Sequence, residues 1–542
     1  MMATSGQTAA VPSLWAPLRV PAFRVLWLAQ LGTMLGTWMQ TAGAQWLMVT
    51  QPDSAALVAL VPVAAVVPML LFALPAGALA DIMDRHRLLI AVQLFQLVVG
   101  CSLSVLTALN RMPPALLLTF TFLLGACLAC TLPAYQSVVQ EFVPRQQIRM
   151  VAALGGVAIN GARAVGPALA GVLLAQVGPA VVFAITAVSA LAFVVVLLRT
   201  RRPAVPRNLP PERFASAVRA GGRYVRNSPA VRRMLLRVFL FVLPGAAVWA
   251  LLPLVADDLL DAGSTGFGLL LGSLGAGAVL GAAVLPRLTA RLAVNRMLVL
   301  SAVLFAVSLV ACVTVPVLWV LALLLVPAGM AWLFVLMGVT GALQVFLPQW
   351  VRARGLSTYN MVFAASQVAG SLLWGLVAQT VGLVPTFLAA AVVMLLGAVT
   401  VAIWPFPDVA HLDRDSAVYW DDPDLAYEPD LQEGPVLVVV RYVIPPETEE
   451  QFLRAMEPVR RSRLQTGATS CELYRDGADS SVFHLVQSFP TWEEHLRQHT
   501  GRLTGTDREH EELAHSFAFN VFGAHLFPVV PSHPSHGRRK AT

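Results

Sequence analysis

Charge is what this chain has least of. Only 12% of its 542 residues are Asp, Glu, Lys or Arg, against 57% apolar residues, whereas a soluble chain carries about 25% charged residues. So few polar groups cannot cover a globule of this size, and lipid must solvate much of its surface. A soluble enzyme and a disordered chain are thereby excluded. Lysine is nearly absent, since 36 of the 37 basic residues are arginine; that points to a GC-rich bacterial genome and carries no mechanism. Cysteine is scarce too. Cys101, Cys127, Cys130, Cys312 and Cys471 are odd in number and sit mostly in apolar runs, which excludes a disulfide framework. Cys127 and Cys130 lie in such a run without a nearby His or further Cys, so their spacing carries no metal or redox reading. The first apolar run follows Arg19 and Arg24 with no small-residue cleavage site behind it, so no secretory leader is expected.

The charge that is present is unevenly divided. Residues 1–407 hold 24 Arg against 8 acids, or +16; residues 408–542 hold 12 Arg and one Lys against 22 acids, or −9. A basic apolar body is joined to an acidic polar tail. The body's arginines fall in short clusters between apolar runs, which is a membrane-orientation pattern rather than a nucleic-acid surface. Twelve apolar stretches near 20 residues long, from one centred near Leu35 to one near Val393, read as spanning helices. The joints after the even-numbered spans hold Arg85/Arg87, Arg145/Arg149, a cluster from Arg199 to Arg233, Arg287/Arg291/Arg296 and Arg352/Arg354. The odd-numbered joints hold Arg111 alone, with Asp53, Asp257, Asp258 and Asp261. Both termini and the long middle joint are therefore expected in the cytoplasm.

The halves repeat. A shift of 204 residues lays Pro144 on Pro348, Gly166 on Gly370, Gly171 on Gly375, Gly178 on Gly382 and Phe183 on Phe387. At a shift of 208, Pro21-Ala22-Phe23-Arg24 meets Pro229-Ala230-Val231-Arg232. Six plus six helices in parallel halves, joined by a long basic loop, suit two bundles rocking about a midplane site. The expected divisions are 1–198 and 233–407 for the bundles, 199–232 for a basic linker, 408–433 for an acidic linker, 434–530 for a folded tail, and 531–542 for a disordered end.

Several segments carry a resemblance to a known family. After the second span, Gly77-Ala78-Leu79-Ala80-Asp81 leads through Asp84 to Arg85-His86-Arg87, and it resembles the loop motif of the major facilitator superfamily, with Asp84 in place of a glycine. In the fifth span, Asn160-x-x-Arg163-x-x-Gly166-Pro167-x-x-x-Gly171 resembles that superfamily's antiporter motif. With Pro133-Ala134-Tyr135-Gln136, Glu141-Phe142-Val143-Pro144-Arg145 and a tail carrying Trp492 to His499, the chain is similar to the transmembrane secretion effector branch, which includes enterobactin exporters. The resemblance implies an all-α membrane protein of two six-helix bundles in a bacterial plasma membrane. It further implies efflux of a small molecule by proton antiport, without a cofactor.

A charge in the bilayer centre costs about 2.5–3.5 kcal/mol and so turns inward. Arg163 is the one such residue the sequence shows near a midplane, with Asn160 one turn away on the same face. It either meets an anionic substrate or coupling carboxylate, or pairs with carbonyls freed by Pro167. Gln40, Gln45, Trp46, Gln136, Asn360 and Gln367 are further cavity candidates, each of which also suits interhelical glue. No carboxylate sits mid-span. Asp81, Arg85, Arg87 and Glu141 are expected to gate, with Gly166 and Pro167 supplying a close approach and a bend.

The tail reads as β-α-β-β-α, with strands at Val436 to Ile444, Cys471 to Arg475 and Val482 to Gln487, and an apolar stripe of Phe452, Met456 and Val459 on its first helix. That order suggests a ferredoxin-like unit. It resembles the α+β barrel of antibiotic-biosynthesis monooxygenases, which implies pairing of two copies through the tail. His495 and His499 are spaced i, i+4, but no third ligand is evident, and no metal site is expected. Two rival functions remain at this point, an importer of the same fold and a membrane-tethered enzyme or sensor acting through the tail.

Overall fold

The structure is a computed structural model and describes residues 15–49, 54–82, 84–140, 142–144, 147–200, 222–407, 413–414, 417, 425 and 429–528. Most of the expected linkers and the end 531–542 lie outside these residues. Two compact units result: residues 1–211, 235–339 and 360–406 form one, and residues 212–234, 340–359 and 407–542 the other.

Among the described residues twelve long helices follow the body of the chain: α1 Pro21–Val49, α2 Ser54–Ile82, α3 Arg85–Ala108, α4 Pro114–Gln140, α5 Ile148–Val177, α6 Pro179–Arg199, α7 Pro229–Leu254, α8 Gly263–Thr289, α9 Val294–Thr314, α10 Leu318–Phe346, α11 Gln349–Val381 and α12 Leu383–Ile403. Eleven are long and apolar enough to cross a membrane. The exception is α1, where the sequence reading expected a span. Gln30, Thr33, Thr37, Gln40, Thr41 and Gln45 dilute its hydropathy. Gln30, Thr33, Gln40 and Gln45 are buried; α1 packs against α5 and α6 and reaches α4 through Gln40 and α7 through Gln45, so protein rather than lipid surrounds these side chains.

Joints follow local chemistry. Asp84 caps α3, its carboxylate accepting from the amides of His86 and Arg87 at 2.9 and 3.1 Å, as an N-cap acid should. Gly178 and Gly382 adopt φ of +81° and +87° at the α5–α6 and α11–α12 joints, a region that side-chain-bearing residues rarely enter. These two glycines lie 204 residues apart, so the repeat is a repeat of turns as well as of letters.

Close helix approaches repeat in the same way. A Cβ on Gly166 would lie 2.8 Å from Trp38 Cβ on α1, and one on Gly370 2.7 Å from Ala246 Cβ on α7. A Cβ on Gly171 would lie 2.6 Å from Gly268 Cα on α8, and one on Gly375 2.4 Å from Ala59 Cβ on α2. Gly125 and Gly329 make the corresponding approaches of α4 to α2 and α10 to α8, where an added Cβ would overlap the backbone oxygens of Ala65 and Leu274. The first half therefore meets the second twice, α5 on α8 and α2 on α11, each time through small residues that let backbones touch.

The second unit contains a four-stranded antiparallel sheet of order β2-β3-β1-β4, with β1 Val436–Val443, β2 Ser470–Arg475, β3 Val482–Phe489 and β4 Asn520–Leu526. Its helices are α13 Glu449–Thr466, α14 Trp492–Arg497 and α15 Gly505–His515. Phe452, Met456 and Val459 of α13 pack with Tyr442, Cys471, Phe483 and Leu485 of the sheet. The predicted second helical stretch is broken by a wider turn at Gln498–Arg502, after which Thr504 and Asp507 form a capping box that starts α15. The fourth strand, absent from the sequence reading, completes the ferredoxin-like order.

Within this unit, the tail holds two joints of the body. Asn227 donates to the Leu464 carbonyl at 3.4 Å and accepts from Gln465 Nε2 at 3.0 Å. Glu494 binds Arg223 at 3.1 Å and Arg502 at 2.6 Å through one carboxylate oxygen. Arg502 stacks 4.9 Å from the Trp350 ring, and its carbonyl accepts the Trp350 indole N–H at 3.1 Å. Burial pushes the Glu494 carboxyl up, but the two guanidiniums outweigh it and hold it below the usual range.

Two predictions follow from this packing. Gly275 has no room for a side chain, since a Cβ there would lie 2.1 Å from Ala164 Cα, whereas Gly155 faces open space. Gly275→Val should destabilise the protein by about 1–3 kcal/mol, as overpacking does. Thermal unfolding in detergent should show that loss and leave Gly155→Ala unchanged; equal midpoints would show that α5 and α8 are not in backbone contact. For the tail, Glu494→Gln should weaken the hold on residues 222–227 by about 1–3 kcal/mol, or roughly ten- to a hundredfold faster amide exchange there. Because the Glu494 pKa is depressed, its contribution is complete above the ordinary carboxylate range and fades as pH falls through the folded-state value. Acid should therefore reproduce the variant's exchange pattern.

Candidate functional site

Arg163 lies at the meeting of the halves. Gly275 admits the α5 backbone at Ala164 on one side of it, and Gly166 admits α1 at Trp38 on the other. The guanidinium carbon sits 5.1 Å from the centroid of the Trp38 ring and 5.0 Å from that of Trp249 on α7. The two indoles are 6.4 Å apart and tilted by 49°. A cation between two indoles, one from each half, gains about 0.5–2 kcal/mol per ring depending on solvent. Stacking occupies the faces of a guanidinium and leaves its donors directed in the plane, where a carboxylate binds in bidentate fashion.

Around this centre the sequence candidates separate. Gln45 joins the halves, its Nε2 donating to the Trp249 carbonyl at 2.8 Å. Trp46 also joins them, its ring stacked 6.1 Å from Phe267 of α8 at an interplanar angle of 17°. Gln40 instead bonds Thr121 of α4 at 3.3 Å in a buried pair, so its role inside the first half is interhelical glue. Gln367 is buried in α11, while Gln136 and Asn360 are exposed and are not among the groups gathered on Arg163. Asn160 lies on α5 one turn before Arg163; its side chain is outside the described residues.

The gating candidates sit at the ends of α2, α3 and α4. Asp81 belongs to the last turn of α2, with its side chain outside the described residues, as is Glu141 altogether. The observed cap on α3 belongs to Asp84, the residue that departs from the family's motif. Arg85 is half-buried and Arg87 exposed, and His86 Nε2 reaches the Leu197 carbonyl at 2.9 Å, tying α3 to the end of α6. Gly166 and Pro167 act on opposite sides of α5. Gly166 receives α1, and the Pro167 carbonyl lies 3.0 Å from where a Gly268 Cβ would stand.

Two features escaped the sequence reading. Trp249 is the near member of an aromatic cluster in the second half, with Trp332 at 5.5 Å and then Phe241, Phe305 and Phe363. The indole nitrogens of Trp249 and Trp332 are buried and have no hydrogen-bond partner among the described residues, an arrangement that ordinarily asks for an explanation. Depth along the helices was the available signal. Trp38, Arg163 and Trp249 lie about 15 to 20 residues into α1, α5 and α7, and at 1.5 Å per residue they fall within a few turns of one level. The second feature is Arg237 on α7, a buried guanidinium bound to the Gly397 carbonyl, to the hydroxyl and carbonyl of Thr400, and to the Trp404 carbonyl. It ties α7 to the last turns of α12, a structural use of charge.

Comparison with known proteins agrees with this architecture. The family described as "Transmembrane secretion effector" matches residues 12–521. The staphyloferrin A transporter of Staphylococcus aureus (strain NCTC 8325 / PS 47) is 25% identical over 277 residues, which cover 51% of this chain and 69% of the relative. A bacterial homologue of the human lysosomal transporter Spinster, solved inward-facing and unoccupied, superposes with a TM-score of 0.57 at 14% identity, over 71% of this chain and 95% of that one. A peptide transporter of the POT type superposes with a TM-score of 0.55 at 15% identity, over 70% and 94%. The two superpositions establish a shared fold. With its family match running from before the first helix into the last strand, this chain belongs to the transmembrane secretion effector family and is a multi-pass transporter of the major facilitator type.

Proposed function

We propose that the protein exports a small amphipathic molecule bearing an anionic group from the bacterial cytoplasm, in exchange for protons, by alternating access. The observation that carries this reading is the Arg163 guanidinium held between Trp38 and Trp249. One charged group contributed by the first half is sandwiched by an indole from each half, so binding there senses their relative position. The buried indole donors of Trp249 and Trp332 offer further polar contacts inside an aromatic wall, as small-molecule sites do. The related staphyloferrin A transporter and the secretion family favour a metabolite cargo over a nutrient.

Orientation rests on the arginine-rich even joints, which place both termini inside. On that assignment the contacts of Gly171 with Gly268 and of Gly375 with Ala59 lie toward the outer face, and the state described is closed outside. Opening there requires these backbones to part, with Asp81, Arg85, Arg87 and Glu141 regulating the cytoplasmic ends. The tail serves as a regulatory or dimerising module.

Transport in inside-out vesicles with an acid interior tests the reading. A panel of siderophores, cationic dyes and antibiotics is added while lumenal proton release is followed by fluorescence. A cargo should release protons, Arg163→Ala should reduce the rate about tenfold or more, and Arg163→Lys, which keeps charge but loses planar stacking, should fall between. Proton uptake together with the cargo would make this an importer, and undiminished flux in Arg163→Ala would remove Arg163 from the site. Asp81→Asn should slow transport while leaving binding, read as quenching of tryptophan fluorescence, nearly intact; parallel loss of both would refute a gating role.

A further inference from the structure

The wide turn at Gln498–Arg502 and the fourth strand together create an arrangement the sequence conceals. His495 and His499 extend from the α14 segment, and β4 brings His525 against them. Their ligand atoms all lie within 4.8 Å of one another. His495 Nε2 is 2.9 Å from His525 Nε2, and the ring centroids are 4.7 Å apart for His495–His499 and 4.9 Å for His495–His525. Nitrogens around one tetrahedral ion at 2.0–2.1 Å stand about 3.3 Å apart, so modest ring rotations bring the three to one centre.

We propose that His495, His499 and His525 form a binding site for a divalent first-row transition-metal ion of the imidazole-preferring class, such as Zn2+. Three features favour a built site over chance proximity. His495 is 2% exposed, so its ring is held inside the domain with its Nε2 turned toward His525. The rings are positioned by aromatic packing, Phe489 and Trp492 lying 4.7 and 5.2 Å from His495 and Trp492 lying edge-on 5.8 Å from His525. The nearby Arg463 would repel a cation, but Glu511 binds it at 2.6 Å in a buried pair and offsets its charge.

The triad opens on a cavity of about 280 Å³ that Gln487, Gln498, Tyr442 and His515 also line, leaving space for water or an exogenous ligand at the coordination positions three histidines leave open.

The test uses the full-length protein in detergent, purified on a histidine-free tag and stripped with chelator. Zn2+ titration by calorimetry should find about one tight site per chain, and Co2+ should give the visible absorption of a nitrogen-bound ion. His495→Ala, His499→Ala and His525→Ala should each weaken binding about tenfold or more, whereas His484→Ala, which removes a ring paired with Asp476 elsewhere in the domain, should not. His525→Gln, on an edge strand, serves as the variant least disturbing to the core; it too should weaken Zn2+ binding while circular dichroism stays unchanged. Zn2+ retained equally by the triple alanine variant would place the ion elsewhere in the chain and overturn the proposal. So would the absence of any binding stronger than that of free imidazole.

Discussion

Backbone contact between the halves is the constraint on which the membrane body depends. In lipid there is no hydrophobic gain from pressing one apolar helix on another, so packing and close approach must hold the bundles together. The chain meets this by placing glycine where backbones cross, at Gly171 and Gly268, at Gly275, and at Gly375 beside Ala59. A contact made without side chains is tight in one state and offers little resistance once parted, since no interlocked ridges must be withdrawn. The same device that stabilises the closed interface is therefore compatible with the alternating access proposed above.

Charge placement follows from that geometry. Arg237, which is buried, and Arg163, which is half-buried, have opposite settings. Arg237 is surrounded by the carbonyls that end α12 and has become part of a helix terminus. Arg163 lies between indoles whose faces attract it weakly and reversibly, at the level where Gly166 and Gly275 thin the wall on either side. A guanidinium bound to the end of one helix moves with that helix; one that stacks on rings from both halves changes its surroundings whenever the helices carrying those rings shift.

Much of this was legible in the sequence because the fold states it twice. The repeat at 204 residues marks Gly166 with Gly370, Gly171 with Gly375 and Gly178 with Gly382, and each pair serves the same turn or crossing in the structure. The tail's stripe of Phe452, Met456 and Val459 was equally plain, since a helix on a sheet has a single apolar face. What stayed hidden depends on tertiary placement. Nothing in the local pattern of α1 says that its glutamines face protein, or that Gln40 serves Thr121 while Gln45 crosses to α7. Trp38 and Trp249 are 211 positions apart and become a pair only through Arg163. Strand β4 escaped because its short run, Asn520 to Leu526, includes Gly523 and His525 and lies mostly exposed at a sheet edge, where alternation is weakly enforced.

The tail concentrates its polar chemistry in one short segment. Residues 492–502 carry Glu494, which holds Arg223 and Arg502; His495 and His499, which face His525; and Arg502, whose ring contact and carbonyl hold Trp350. Neighbouring residues on one helical turn point to different sides, so Glu494 and His495 engage different partners while sharing a backbone. Any event that fixes or releases the histidines must act on the backbone that also positions the carboxylate. The break between α14 and α15 makes such coupling local, because the wider turn at Gln498–Arg502 can adjust without disturbing the capped start of α15 or the sheet behind it. A rigid continuous helix, as the sequence pattern alone suggests, would have spread the same adjustment across the whole domain.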